Sequence, residues 1–354
     1  MVDRPISVII VSMATKNKRL HPVDDCQAAG LKKAVKLIAN MPRIRFSNLP
    51  TPLQRLPRIS QRLGIDLWCK RDDLTGFAFG GNKNRKLEFL IADAKAEQCD
   101  TLLALGANQS NFCRMAAAAG IANGFETHLV LGGKKPLKAT GNLLLDKLFG
   151  AVIHHVDSAD WDIWEHEGKE LLQRLQRMGR KVYWLPVGGS TPVGAIGYVQ
   201  AFLEITNDAH RLGLEFDSIV HASSSGGTQA GLLVGKELSM WQGRIIGMGV
   251  AKNGALLAQQ VAILAQGTAE QIGITFGGNG VFVEDHYVGA GYASRTPECE
   301  AAIELFAREE GILLDHVYTG KAVAGLIDYS GKGVFPKGSP VLFLHTGGNI
   351  ELFE

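Results

Sequence analysis

Three short stretches of the chain place reactive or ligand-holding groups at close spacing. Gly80-Gly81-Asn82-Lys83-Asn84-Arg85-Lys86 leads from a loop into an amphipathic pattern. Two glycines ahead of Lys83 let the backbone crowd a flat ligand, and repulsion from Arg85 and Lys86 would lower the lysine's pKa. Such a lysine suits a nucleophile or Schiff-base former, and a solvated surface lysine is the plain alternative. Ser223-Ser224-Ser225-Gly226-Gly227-Thr228 lies between an apolar run and a helical pattern. Free N–H groups and the positive end of a helix dipole can hold a phosphate there, although an ordinary strand-to-helix turn has the same composition. Gly106-Ala107-Asn108-Gln109-Ser110-Asn111 brings hydroxyl, amide and N–H donors to a third such junction. They could bind a carboxylate, and Ser110 or Asn111 could equally cap a helix.

The missing motifs narrow the chemistry. No Gly-Lys pair completes a Walker A motif, so the phosphate would be held rather than transferred. Gly247-Met248-Gly249 runs on to Lys252 and Gly289-Ala290-Gly291 to Ser294, so the dinucleotide fingerprint fails and a nicotinamide enzyme is disfavoured. The ten histidines contain no H-E-x-x-H. His154-His155 in an alternating strand point to opposite faces, His166 and Glu170 read as solvated helix surface, and G-x-S-x-G is absent. Five cysteines without a C-x-x-C pair argue against a disulfide framework and a zinc site, and for a reducing compartment. No metal is expected.

These stretches must be positioned by an ordinary globular framework. The 354 residues are 46% hydrophobic and 20% charged, which excludes disorder throughout, and the 42 glycines show no collagen period. Residues 1–40 carry net charge +4 and the remainder −2, so the body is not a polyanion-binding surface and no nucleic-acid partner is expected. The apolar run Ile6 to Met13 is far shorter than the ~20 residues of a membrane span and lacks a clean cleavage site. The reading is of a soluble cytoplasmic protein with no membrane partner. Strands are expected at Leu67–Lys70, Thr101–Leu105, Glu126–Leu131, Ala151–Val156, Lys181–Leu185, Ser218–Ala222, Arg244–Val250 and Val341–Leu344. Helical patterns are expected around Leu87 to Ala94, at Asn111–Ala122, around Asn142–Phe149, at Asp160–Met178, from Pro192 and from Gly227. Strands alternating with helices imply parallel sheets, and the strand count suits two α/β units sharing a cleft. The expected division is an N-terminal extension over 1–40, a large unit from 41–85 and 197–354, and a small unit over 86–196.

Taken together, several stretches resemble the D-cysteine desulfhydrase and aminocyclopropane-carboxylate deaminase family of fold type II pyridoxal-phosphate enzymes. They are Lys70-Arg71-Asp72-Asp73-Leu74-Thr75, Gly80 to Lys83 with Arg85 to Glu88, Gln109-Ser110-Asn111, Ser225 to Thr228, Val317-Tyr318-Thr319-Gly320-Lys321 and His345-Thr346-Gly347-Gly348. The resemblance runs from about residue 45 to the C-terminus. It implies two open parallel-sheet domains with pyridoxal phosphate in the cleft, and Lys83 as the Schiff-base lysine. Ser224, Ser225, Gly226, Gly227 and Thr228 would form the phosphate cup, with Lys86 a further phosphate contact. Asn111 would lie near the cofactor's phenolic oxygen, and Ser110 and Asn111 would bind the substrate carboxylate. Tyr318 would face the cofactor ring as an acid/base or stacking group, and Thr319 would meet the pyridine nitrogen.

Phe112 stands where relatives carry His or Gln, which makes the substrate pocket more apolar and leaves open an inactive cofactor-binding protein. Thr319 and Thr346 stand where ring-opening deaminases have Glu and Leu. Both threonines point to β-elimination of D-cysteine to pyruvate, ammonia and sulfide, with L-cysteate sulfo-lyase and aminocyclopropane-carboxylate deaminase as alternatives. The resemblance also implies a homodimer acting on a small amino acid.

Overall fold

The computed structural model describes residues 35–353 except 252 and 279. Its strands form two sheets. In the larger, β2 (Asp66–Arg71), β10 (Pro340–His345), β7 (Ser218–Ser223), β8 (Arg244–Gly249) and β9 (Phe282–Glu284) run parallel in that order, and β1 (Leu53–Arg55) adds an antiparallel edge. In the smaller, β5 (Val152–Val156), β4 (Glu126–Gly132), β3 (Thr101–Ala107) and β6 (Val182–Leu185) are all parallel. The central strands β3, β7 and β10 are near-continuous buried runs because helices cover both faces of each sheet.

The helices Lys83–Ala96 and Pro192–Leu212 carry the chain between the sheets and pack on one another. Gly197 is obligatory at their contact, since a Cβ there would lie 2.3 Å from the Arg85 carbonyl oxygen. The expected unit limits at 85/86 and 196/197 fall inside these two helices, so the crossings are rigid segments rather than linkers. Pro192 at the first turn, the Thr191 hydroxyl accepting from Gly194 N at 3.0 Å, and left-handed Gly213 at the end delimit the longer helix.

Three features depart from the sequence expectations. Residues 35–40 are helical, with Val35 and Ile38 buried against the core of the larger sheet, so this part of the expected extension belongs to the fold; residues 1–34 lie outside the described residues. Between Arg244–Val250 and Val341, where no element was expected, the chain forms β9 and the helices Gly254–Gln271, Pro297–Glu310 and Thr319–Gly331. The first helix was legible, since buried Leu257, Val261 and Ala265 recur every four residues. The edge strands β1 and β9 are three residues each, too short for alternation to show.

Candidate active site

Lys83 opens the helix Lys83–Ala96, and its approach is built from glycine for steric reasons. A Cβ at Gly80 would meet the Asp73 carbonyl oxygen at 2.1 Å, and one at Gly347 would meet Gly81 Cα at 2.8 Å. Two residues on, Arg85 is buried in an ion network: it binds both oxygens of Asp72 at 2.8 Å and both of Glu204 at 2.9 Å. Tyr198 and Thr51 donate to Asp72, and buried Lys70 binds Glu204 and Asp208. Lys70, Asp72 and Arg85 are therefore anchors for the first turn of the Lys83 helix. Lys83 itself is half-buried in the cleft wall, and desolvation lowers its pKa to about 8. The expected repulsion from Arg85 is not the cause, because that guanidinium is neutralised by two carboxylates. Lys86 is lowered too, first by burial and then by Lys83.

The end of β7 and the start of the helix Gly227–Ser239 form a cup. Gly226 is left-handed at φ 82°, which turns the backbone N–H groups of the helix start inward. Gly227 N donates to the Ser190 hydroxyl at 3.2 Å, that hydroxyl donates to Ser225 Oγ at 2.8 Å, and Lys86 Nζ reaches Ser190 Oγ at 3.2 Å and Gly188 O at 3.1 Å. Asn82 Nδ2 donates to Thr228 Oγ1 at 3.0 Å, tying the Lys83 loop to the cup.

On the smaller sheet, Ser110 caps the helix Asn111–Ala122 by accepting from Cys113 N at 3.1 Å while also lining the cleft. The Asn111 amide is committed: Nδ2 donates to Glu351, and Oδ1 accepts from Asn142 at 3.1 Å and Arg114 at 3.3 Å. Phe112 lines the cleft but is only 2% exposed, set in the core of the smaller sheet. Tyr318 is half-buried with its hydroxyl hydrogen-bonded to that of Tyr292, and burial followed by that neighbour pushes its pKa well up. The cleft between these groups measures about 780 Å³, its open mouth included.

Residues 44–347 match the family described as "Pyridoxal-phosphate dependent enzyme". The chain belongs to that family. Among curated relatives, the "Putative 1-aminocyclopropane-1-carboxylate deaminase" of Pyrococcus furiosus is 42% identical over 91% of this chain and 96% of its own. The protein of the same description from Pyrococcus abyssi is 40% identical with the same coverage. A crystal structure of an "ACC deaminase homologue" superposes with TM-score 0.85 at 38% identity, covering 94% of this chain and 97% of the other. The processed threonine deaminase isoform 2 of Solanum lycopersicum shares the fold, with TM-score 0.64 at 16% identity, covering 95% of this chain and 88% of that one.

The residues of this pyridoxal-phosphate enzyme fit its cofactor. Hydroxyls, backbone N–H groups and Lys86 converge on the cup, and a Cβ at Gly188 would lie 2.3 Å from Ser225 Oγ and 3.6 Å from Lys83 Nζ, in space a ligand needs. Of the expected residues, Lys83, Ser110, Asn111, Phe112, Ser224, Ser225, Gly226, Thr228, Tyr318 and Thr346 line the cleft. Gly227 and Lys86 sit behind the cup. Thr319 does not line it: the hydroxyl donates to Asp315 Oδ2 at 2.6 Å and accepts from Asp315 N at 2.9 Å, fastening the start of its helix.

Sequence reasoning missed Ser190, Asn82, Tyr292, Trp161 and Trp164. Gly188-Gly189-Ser190 repeats the glycine-and-hydroxyl composition of the cup and was a usable signal, whereas Tyr292 lies on an irregular segment and had none. Away from the cleft, Glu284, Asp285 and His286 bring three ligand atoms together, but Tyr329 and Gly254 N already bind the two carboxylates.

Proposed function

We propose that the enzyme catalyses β-elimination on a small neutral amino acid, in the manner of a D-cysteine desulfhydrase, releasing pyruvate, ammonia and sulfide. The observation that carries this reading is the charge of the cleft: among its described lining residues Lys83 alone bears a formal charge, and there is no carboxylate. A carboxylate at the cofactor's ring nitrogen would hold a proton there, which ring opening favours. With Thr319 given over to Asp315 the cleft offers none, which supports an elimination that needs only a transient carbanion.

When bound, pyridoxal phosphate supplies the electron sink that acidifies the Cα–H bond. Ser110 and the free N–H groups at the start of the helix Asn111–Ala122 bind the substrate carboxylate. Lys83 Nζ, whose burial makes the neutral amine available near pH 8, takes the proton from Cα. The Tyr318 hydroxyl, steadied by Tyr292, protonates the sulfur as the Cβ–S bond breaks. Water then hydrolyses the released enamine to pyruvate and ammonia.

Ring opening of aminocyclopropane carboxylate is the second reading, favoured by the names of the relatives at 42% and 40% identity. Steady-state assays of the holoenzyme on D-cysteine, L-cysteine, L-cysteate and aminocyclopropane carboxylate decide between them. Pyruvate with sulfide is expected; 2-ketobutyrate selects the second reading, sulfite selects cysteate, and no product from any of them leaves an inert cofactor-binding protein.

A further inference from the structure

Neither reading of the reaction gives a role to the two tryptophans of the cleft. Trp161 and Trp164, one turn apart at the start of the helix Trp161–Arg177 of the smaller sheet, stack at 5.7 Å with 22° between their planes. Trp161 meets Tyr292 edge-on at 6.0 Å, and Tyr292 meets Tyr318 at 6.1 Å, so four rings form one row from the smaller sheet's helix to the larger sheet's Tyr318. All four line the cleft.

The row is built rather than incidental. Trp164 is 3% exposed, and its indole occupies the space left by Gly132 at the end of β4, where a Cβ would lie 1.8 Å from the ring. Its Nε1–H is spent on the Ser158 carbonyl at 2.7 Å. The Trp164 ring is thereby left with no free donor for a ligand. Among the described residues, no cation besides Lys83 lines the cleft to balance a second anionic group on a substrate.

We infer that Trp161 and Trp164 form the subsite for the substrate's side chain and restrict it to uncharged, apolar groups such as alkyl, thiol or thioether, rejecting side chains that end in an anion. The inference rests on the reading of the cleft as an amino-acid site. Burying a methylene against such a wall tightens binding by about fourfold, whereas burying an unpaired carboxylate or sulfonate costs far more than its contacts return.

The test uses amino acids that bind without a leaving group. The holoenzyme is titrated with both enantiomers of alanine, 2-aminobutyrate, norvaline and aspartate, and binding is read from the change in cofactor absorbance. For the enantiomer that binds, affinity is expected to tighten about fourfold per methylene from alanine to norvaline, with aspartate at least roughly a hundredfold weaker than norvaline. Trp161→Ala flattens that series while leaving alanine within about threefold, and Trp161→Phe restores most of it. Gly132→Ala, which displaces Trp164, serves as an independent second variant. A series with no slope in the wild type, a slope unchanged in Trp161→Ala, or aspartate binding as tightly as norvaline overturns the inference. Failure of every elimination assay would count against the proposed reaction alone, since the titration needs no turnover.

Discussion

At the scale of single residues, the proposed chemistry rests on Lys83 and on what surrounds its amine. Attachment of the cofactor requires the neutral amine, and burial brings that form into reach at a pKa of about 8 instead of the ordinary 10.5. The rate at which pyridoxal phosphate reconstitutes the apoenzyme should therefore climb with pH and level off above about 8; a climb continuing towards 10.5, followed by the rise of cofactor absorbance, would show an unperturbed lysine. Lys83→Ala should abolish both turnover and borohydride-trapped cofactor, and peptide mapping that finds the reduced cofactor on another lysine would move the assignment. Asn111 shows how a residue type can be legible while its use is not. Its amide was expected to address the cofactor, yet Glu351, Asn142 and Arg114 hold it, and the first two of those partners lie 240 and 31 positions away in the chain.

At the scale of elements, two helix starts do the positioning. The cup depends on the first turn of the helix Gly227–Ser239, where a Cβ on Gly227 would sit 2.8 Å from Lys86 Nζ. Gly227→Asp places a carboxylate among the donors meant for phosphate and gives Lys86 a partner. Cofactor affinity should fall by at least roughly a hundredfold, a far larger effect than that on the thermal midpoint of the apoprotein, where the cost is the crowding of Ser190 by the new Cβ, because loss of a charge-assisted contact and added repulsion act on the phosphate. Equal affinity in a cofactor titration would place the phosphate elsewhere.

The Lys83 helix depends on the Arg85–Asp72–Glu204 network. Burial opposes ionisation of Glu204, but Arg85 and Lys70 outweigh it and depress its pKa to about 2. A depressed carboxylate contributes stability that is present in full above its unfolded pKa near 4.5 and is lost as pH falls towards 2. Chemical denaturation should show stability declining across that window, and Glu204→Gln should be less stable at pH 7 with a shallower decline. An identical acid limb in the two proteins would remove Glu204 from the account. The same network explains why Lys70 and Asp72 recur in the recognisable motifs although neither lines the cleft.

At the scale of the whole molecule, the cleft is made by both sheets: Lys83, the cup and Tyr318 face Ser110, Phe112 and the tryptophan pair. A ligand seated there stabilises the folded state by mass action, about 2.7 kcal/mol at a hundredfold excess over its dissociation constant. Calorimetry should show the midpoint of the holoenzyme above that of the apoenzyme, with Lys83→Ala retaining part of the shift because the cup is intact. An unchanged midpoint would mean that the cofactor does not hold the folded state.

The alternation of apolar runs and helical patterns was enough to establish two parallel-sheet units, because strands covered on both faces must be continuously apolar and parallel neighbours require crossovers. Local composition likewise located Lys83, the Ser225-Gly226-Gly227 cup and the Ser110 cap, since each is a strand-to-helix or loop-to-helix junction whose residues are adjacent in sequence. The tertiary structure alone decided what those junctions face. It spent the Thr319 hydroxyl on Asp315, attributed the lowered lysine pKa to burial once Arg85 was seen to be neutralised, and brought Tyr292, Trp161 and Trp164 to the cleft and Ser190 to the cup. The Thr319–Asp315 contact spans four positions and the others join residues tens to hundreds of positions apart; the long-range ones form only after helices and sheets have packed, so no local pattern records them.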